Sequence, residues 1–564
     1  MPKITIDNKE IDFTQGQTII QAAEAASIDI PHFCWHSALS VSGNCRVCLV
    51  EVEKMPKLVI ACSTLATDGM VVSSQSEKTL SARSAVMEFI LINHPLDCPI
   101  CDEAGDCKLQ NYTYKHSNGE SRFIESKNSK DKRVALGPNV MFDGERCISC
   151  SRCIRFCDEI VGEKQLTFVK RGDRVTISTF PGKELDNDYS MNVIDICPVG
   201  ALTSRDFRFT SRVWEMSSTK SICSGCSKGC NIDVWVRNNQ ILRLTPRQND
   251  AVNNFWMCDE GRLNTFKHIN ADTRINGPQV RRDGALSKVT WDEAFSAAAS
   301  ELKAFSKDEI GFVGSPQATN EDNFLFSKFV KSNFGIKNLT FFKHIIPGTA
   351  DSLLQKEDKS PNSFGAELAG IKPSKDGYDF ASLLSAINSH KIKALYILED
   401  SNILEIPEIE SYLSKLDLLI VHSVNSSVLT QRANIVFPAA SYAEKNGTWI
   451  NCDGIIQRIR PAVTTQEIDR SLDGFSMSRL DKFGTEYDRW NQTAKVDARP
   501  SWKILCGLMT VFGQKQKFSI VEEVFSEMSN TIPSLNGIDY SSIGDLGIKV
   551  SLKSPIPATI EGKH

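Results

Sequence analysis

Long apolar runs are missing from this 564-residue chain. No stretch approaches the roughly 18 apolar residues that a bilayer-spanning helix needs. An excess of one charge is missing too. Lysine and arginine number 65 against 69 aspartates and glutamates, a formal net charge of −4. That balance excludes the basic footprint of a nucleic-acid binder or of an anionic-membrane binder. The first residues, Met1-Pro-Lys-Ile-Thr-Ile-Asp, alternate like a strand. They carry neither the apolar stretch of a secretion signal nor the Arg- and Ser-rich character of a transit peptide. The expectation is a cytoplasmic protein that reaches a membrane only through partners. Cysteine is scarce in the back half, where only Cys452 and Cys506 follow Cys258. Sixteen of the 18 cysteines therefore crowd between Cys34 and Cys258. In a reducing cytoplasm such crowding points to metal and away from disulfides. The apolar content of 41% and charged content of 24% describe an ordinary globular chain. The length allows about three to five domains.

The densest motif is Cys147-Ile-Ser-Cys150-Ser-Arg-Cys153-Ile-Arg-Phe-Cys157, answered about forty residues later by Cys197-Pro198. C-x2-C-x2-C-x3-C is the spacing with which bacterial ferredoxins hold a cubane iron–sulfur cluster. In two-cluster ferredoxins the fourth cysteine precedes proline and serves the other cluster. Here Cys157 precedes Asp158, and no second C-x2-C-x2-C lies before Cys197. One cubane is expected, held by Cys147, Cys150, Cys153 and Cys197. Cys157 is then surplus, and a small buried hydrophobe is favoured over a spare ligand.

Three further sets flank it. Cys34, Cys45, Cys48 and Cys62 form C-x10-C-x2-C-x13-C on a hairpin-and-helix segment. The hairpin is expected over residues 3–13, with a capping box at Thr18 and Gln21 opening a helix through Ala26. Four thiolates suit a [2Fe–2S] cluster, and a structural zinc site is the rival. An amphipathic helix over 76–93 leads to Cys98, Cys101 and Cys107, which leave a cubane one ligand short. His94, in H-x3-C-x2-C-x5-C, is favoured as the fourth because a neutral imidazole can ligate; His116 is the runner-up. Residues 117–139 are polar and read as a solvated linker or partner-facing loop. Finally, Cys223, Cys226, Cys230 and Cys258 form C-x2-C-x3-C-x27-C around a hairpin turning at Asn238-Asn239. A zinc ribbon is the alternative to a cubane there.

Beyond Cys258, short apolar strands at Glu309–Gly314, Ala394–Leu398 and Leu416–Val421 alternate with helical stretches such as Asn320–Phe334. That alternation predicts a doubly wound α/β region. From about Lys515 the chain is polar and offers little to read.

With these patterns placed, the chain resembles the G-type iron–sulfur subunits of NADH–quinone oxidoreductase, respiratory complex I, in their bacterial four-cluster form. The strings that carry the likeness include Pro31-His-Phe-Cys-Trp-His, Asn93-His-Pro-Leu-Asp-Cys-Pro-Ile-Cys-Asp, Arg152-Cys-Ile-Arg-Phe and Asp195-Ile-Cys-Pro-Val-Gly-Ala-Leu-Thr-Ser. The resemblance implies a β-grasp [2Fe–2S] domain over 1–75 and, over 76–135, a [4Fe–4S] domain ligated by one histidine and three cysteines. It further implies a ferredoxin-like [4Fe–4S] domain over 136–215 and a molybdopterin-type [4Fe–4S] domain over 216–275. A degenerate molybdopterin-oxidoreductase-like α/β domain would occupy 276–564. It also implies one [2Fe–2S] and three [4Fe–4S] clusters on the four ligand sets above. Catalytic molybdopterin relatives add a Cys or selenocysteine for molybdenum and a Lys soon after the fourth cluster cysteine. This chain has no cysteine between 258 and 452 and reads Asp259-Glu260-Gly261-Arg262. No molybdenum cofactor and no catalytic site of its own are therefore expected. The role implied is relay of single electrons from a flavin subunit that oxidises NADH toward the quinone site. The partners implied are the other peripheral-arm subunits, at the cytoplasmic side of a bacterial inner membrane. Subunits of an NAD-linked hydrogenase or a molybdenum formate dehydrogenase are the alternatives.

Overall fold

Asp7 and Asn8 take left-handed φ angles of 48° and 67°, a conformation their short polar side chains tolerate. They turn the strand Lys3–Ile6 back on Lys9–Asp12 with Ile4 opposite Ile11. The computed structural model describes residues 1–117, 119–335, 337–399, 403–467, 495–515 and 518–550. Parts of the expected 276–564 domain, chiefly 468–494 and 551–564, thus lie outside the described residues. Contacts divide the chain into two units, Met1–Glu215 and Met216–His564.

In the first unit, Lys3–Ile6 also pairs in parallel with Met70–Ser73, and Leu49–Val52 and Val59–Ile60 complete a five-stranded sheet. The helix Ile19–Ala25 buries Ile19, Ile20, Ala22 and Ala23 against it. Its start is fixed by Thr18 N–H donating to Gln21 Oε1 at 2.9 Å, a reciprocal cap that satisfies an orphan donor. One helix across a mixed sheet of this order is a β-grasp, as expected. Ser76 Oγ caps the helix Glu77–Leu91 by accepting from Thr79 N at 3.3 Å. That helix carries Arg83 into the interior, where it donates to the carbonyls of Val47 and Ser74. After the helix Lys108–His116, the described residues up to Arg133 form no helix or strand. A three-stranded sheet of Val134–Ala135, Val140–Phe142 and Leu202–Ser204 and the hairpin Leu166–Val169/Thr176–Thr179 follow.

The second unit opens on three antiparallel strands, Ser217–Ile222, Asn231–Arg237 and Gln240–Pro246. Asn238 and Asn239 make the turn with φ of 52° and 59°. Its main sheet has seven strands. Five run parallel in the order Ile435–Pro438, Leu418–Ser423, Ala394–Ile397, Ile310–Gly314, Leu339–Phe341. The hairpin Gln279–Arg282/Ala285–Lys288 adds an antiparallel edge. All residues of the three central strands are buried, the pattern of a sheet covered on both faces. Trp291–Lys303, Asn320–Asn333 and Ser501–Val511 are among the covering helices, and Phe312, Phe326, Phe329 and Tyr396 pack between. The segment after Lys515 is less featureless than its composition implies. It contains the helix Val521–Thr531, which buries Val521, Val524, Phe525 and Met528.

Candidate metal centres

The first set sits at the edge of the β-grasp sheet. Cys34, Cys48 and Cys62 are buried and Cys45 is half-buried. The four thiols come together two by two. Cys34 hydrogen-bonds with Cys45, which pulls the Cys34 thiol down to about 5 and pushes Cys45 up. Cys48 hydrogen-bonds with Cys62, which lowers Cys62 and raises Cys48. Arg46, at a left-handed φ of 60°, bends the chain between Cys45 and Cys48. The buried Arg83 guanidinium faces Cys48, and the Arg155 guanidinium faces Cys34. Ligating thiols must lose their protons, and both charges favour that.

The second set is less closed. Burial, then the charges of Arg146, Lys127 and Lys132, hold the His94 imidazole down at about 4, so it is neutral at ordinary pH. Neutral imidazole is the ligating form. Burial raises Cys101, and raises Cys107 to about 11. Arg146, 2% exposed, faces both His94 and Cys101 while pairing with Asp97 at 3.0 Å. Cys98 is exposed, and among the described residues neither its thiol nor the His94 ring bonds to the other ligands. His116 lies elsewhere, beside Tyr112 and facing Arg83 and Asp29.

The third set surrounds one small cavity. Cys147, Cys150, Cys153 and Cys197 line it with apolar Phe142, Ile148, Ile177 and Leu202. Ser149 and Ser151 take φ of 53° and 62°. Left-handed residues alternating with ordinary ones curl successive N–H groups inward, an anion-binding nest. Ser149 N–H donates to Cys147 Sγ at 3.4 Å. Burial raises Cys147 to about 11 and the other three further or in the same direction. Cys157 is fully buried in the widened helical turn Phe156–Val161, off the cavity lining, with its thiol pushed up to about 12.

Two close approaches join the third set to the second. Cys107 Sγ lies 4.0 Å from the Pro198 carbonyl. A Cβ on Gly200 would come 2.2 Å from Cys101 Sγ. The segment that supplies Cys197 therefore also walls the neighbouring site, and only glycine fits there.

The fourth set lines a cavity of about 700 Å³ in the second unit. Gly225 N–H donates to Cys223 Sγ at 3.4 Å and Gly261 N–H to Cys258 Sγ at 3.3 Å. A Cβ on Gly261 would stand 3.0 Å from Cys223 Sγ. Burial raises Cys258 to about 12 and Cys223 and Cys230 upward as well. Gln317, His344, Glu399 and Tyr442 share the cavity, while Cys452 and Cys506 do not line it. Below it lies a feature no sequence pattern signalled: Lys445 Nζ is buried between Asp322 Oδ2 at 2.9 Å and Glu399 Oε1 at 2.5 Å.

Among the described residues no three His, Cys, Asp or Glu side chains converge as on a single metal ion. The cysteines of the third and fourth sets instead ring a space, with backbone N–H groups aimed at sulfur. Buried thiols, inward N–H donors and nearby arginines form a donor set that fits thiolate-held iron–sulfur clusters, whose charge such groups offset.

Comparison with known proteins agrees in order along the chain. Residues 2–77 match a 2Fe-2S iron-sulfur cluster binding domain, and 83–122 match the NADH-ubiquinone oxidoreductase-G iron-sulfur binding region. Residues 137–203 match the ferredoxin-like domain of NADH-quinone oxidoreductase subunit 3. The molybdopterin oxidoreductase Fe4S4 domain matches 216–270, and molybdopterin oxidoreductase matches 274–376 and 372–471. The NADH-quinone oxidoreductase G subunit of Rickettsia bellii is 39% identical over 332 residues, 59% of this chain and 48% of its own. The NADH-ubiquinone oxidoreductase 75 kDa subunit of Reclinomonas americana is 41% identical over 317 residues, 56% of this chain and 45% of its own. A crystal structure of an NAD+-reducing [NiFe]-hydrogenase in the H2-reduced state is 30% identical. It covers 38% of this chain and 91% of its own, with a TM-score of 0.35. The chain spans about half the length of the curated relatives it matches. Over the stretch these alignments cover, the chain is similar to the G subunits of NADH-quinone oxidoreductase.

Proposed function

We propose that this chain carries single electrons within an NADH:quinone oxidoreductase, from a flavin-bearing NADH-oxidising subunit toward the quinone-reducing subunits. The observation that carries the proposal is the way the cysteines of the third and fourth sets ring their cavities. The first set is paired two by two, and the third set lies against the second through Pro198 and Gly200. Iron–sulfur clusters, when bound, each take up and release one electron.

The chain's own part is to hold, shield and bias those groups. In the first set the thiol pairs Cys34/Cys45 and Cys48/Cys62 offer two sulfurs to each of two irons. Around the third set Phe142, Ile148, Ile177 and Leu202 exclude water, which limits solvent reorganisation when charge changes. N–H donors at Ser149, Gly225 and Gly261 aim at ligand sulfur and favour added negative charge. His94 replaces one thiolate by a neutral ligand and so removes one negative charge from its set. The ligand sets are Cys34, Cys45, Cys48 and Cys62 for [2Fe–2S], with [4Fe–4S] on the other three. The chain breaks no substrate bond and holds no molybdenum. It sits peripherally, on the cytoplasmic side, through partner subunits; no helix among the described residues is long and apolar enough to cross a membrane.

Low-temperature EPR of the reduced, cluster-loaded full chain tests this, alongside His94→Ala and Cys223→Ala. Each variant should lose or transform one cubane signal and keep the rest. Unchanged spectra in both would refute the ligand assignments, and stoichiometric molybdenum in the purified protein would refute the scaffold reading of the back half.

A further inference from the structure

Arg152 and Arg155 belong to no ligand set, yet they stand where the loop from Cys34 to Cys45 lies against the loop from Cys147 to Cys157. Arg152 is 4% exposed. Its Nη1 donates at 3.1 Å to the carbonyl of Ile196, next to Cys197, and its Nη2 to that of Trp35, next to Cys34. Its Nε is buried without a partner. Arg155 Nη2 donates to the carbonyls of both Cys34 and Cys150, and Nη1 to that of Ser40. Because one nitrogen reaches both, the Cys34 and Cys150 carbonyl oxygens lie within about 6 Å of each other. The seam is pinned further by Asn44 Nδ2 donating to Ser149 O at 3.1 Å and Ser40 N donating to Glu159 Oε2 at 2.7 Å.

Among the described residues the acceptors these guanidiniums reach are carbonyls and a serine hydroxyl, never a carboxylate. A buried charge is costly without a counter-charge. Arg152 lines the cavity of the central set with Cys150 and Cys197, and it faces the sulfur of Cys34 as well, so its neighbours come from two different ligand sets. Reduction adds one negative charge to either site. In a low-dielectric seam a fixed positive charge stabilises the reduced form more than the oxidised one.

We propose that Arg152 and Arg155 are a shared potential-setting pair, raising the reduction potentials of the binuclear site and the central cubane together. This rests on the proposed ligand assignments. Arg152 acts more on the central site, since two of its three facing sulfurs belong there. Arg155 weighs more on the binuclear site through the Cys34 carbonyl. Both are positioning residues: they touch ligand backbone and take no part in bond making.

EPR-monitored redox titration of the cluster-loaded full chain, parent against Arg152→Gln and Arg152→Lys, provides the test. Arg152→Gln should lower the central cubane's reduced-to-oxidised ratio at a fixed potential about tenfold, or about 59 mV for a one-electron couple. The binuclear signal should move the same way by less, and the His94-set signal should stay put. Arg152→Lys, which keeps the charge and loses the fork, should recover most of the shift. If Arg152→Gln yields no folded protein, Arg155→Gln, whose side chain is half-buried, carries the same test with the binuclear signal moving more. Intact signals with unmoved midpoints overturn the pair's role alone. Absence of the two signals from the loaded parent overturns the ligand assignment, and this inference with it.

Discussion

Replacing Gly200 by alanine puts a Cβ 2.2 Å from Cys101 Sγ and 2.9 Å from Glu103 Cβ. Both lie far inside the about 3.5–4.0 Å at which non-bonded heavy atoms rest. The obstacles are atoms at or next to the backbone, Glu103 Cβ and the Sγ of a proposed ligand, so neither can swing away cheaply. Overpacking of this kind costs about 1–3 kcal/mol. In a unit of about 215 residues, each kcal/mol moves the melting temperature by about 2–4 °C. The first unit should therefore melt about 2–12 °C lower. Instability alone is not diagnostic, so Gly137→Ala serves as a control. Its Cβ would meet the Leu185 carbonyl oxygen at 2.1 Å, away from every ligand set. Scanning calorimetry of the cluster-loaded proteins, with EPR on the same samples, separates the two. Both variants should melt early, and only Gly200→Ala should lose or distort the His94-set signal. Parental melting and a full set of signals in Gly200→Ala would refute the packing argument.

Lys445→Met leaves Asp322 and Glu399 buried without their shared cation. Denaturant titration should show the second unit losing about 3–5 kcal/mol; a loss below about 1 kcal/mol, the scale of an exposed pair, would count against a buried network. Glu321 gives a pH signature. Burial raises its carboxyl to about 7, with Thr448 and Tyr540 donating to it at 2.9 Å. An unfolded glutamate titrates near about 4.3. The folded chain thus holds a proton that the unfolded chain has released, so this contribution is present below about pH 4.3 and lost as pH rises through about 7. Glu321→Gln, which keeps the neutral form, should gain on the parent by up to about 4 kcal/mol across that window. Parallel stability–pH curves for the two proteins would sink this reading.

Local rules made much of the fold legible. The turns at Asp7-Asn8 and Asn238-Asn239, the Thr18/Gln21 cap and the buried strand runs at Ile310–Gly314, Ala394–Ile397 and Leu418–Ser423 each follow from a handful of neighbouring residues. The helix Val521–Thr531 was harder to see. Its four buried apolar residues recur at helical spacing, but serines, glutamates and asparagine between them dilute the composition. Ligand grouping was legible only as spacing. That Cys34 turns to Cys45 and Cys48 to Cys62 depends on how a sheet edge brings residues 34 and 62 together. Least legible were the interior charges. Nothing in the sequence marks Arg83, Arg152 and Lys445 as buried, because their carbonyl and carboxylate partners lie as far as 123 residues away.

The turn Pro198–Gly200 has a consequence for how this architecture can change over generations. It follows Cys197 of the central ligand set and walls the His94 set, while the Cys34 loop of a third set leans on Ser149 and Arg155 beside the central one. A deletion that removed one front set would strip a wall from its neighbour, so those three sets must be inherited or lost as a block. Among the described residues, those that share the cavity of the Cys223 set belong to the second unit. A lineage could therefore discard those four cysteines one substitution at a time and leave the front block whole.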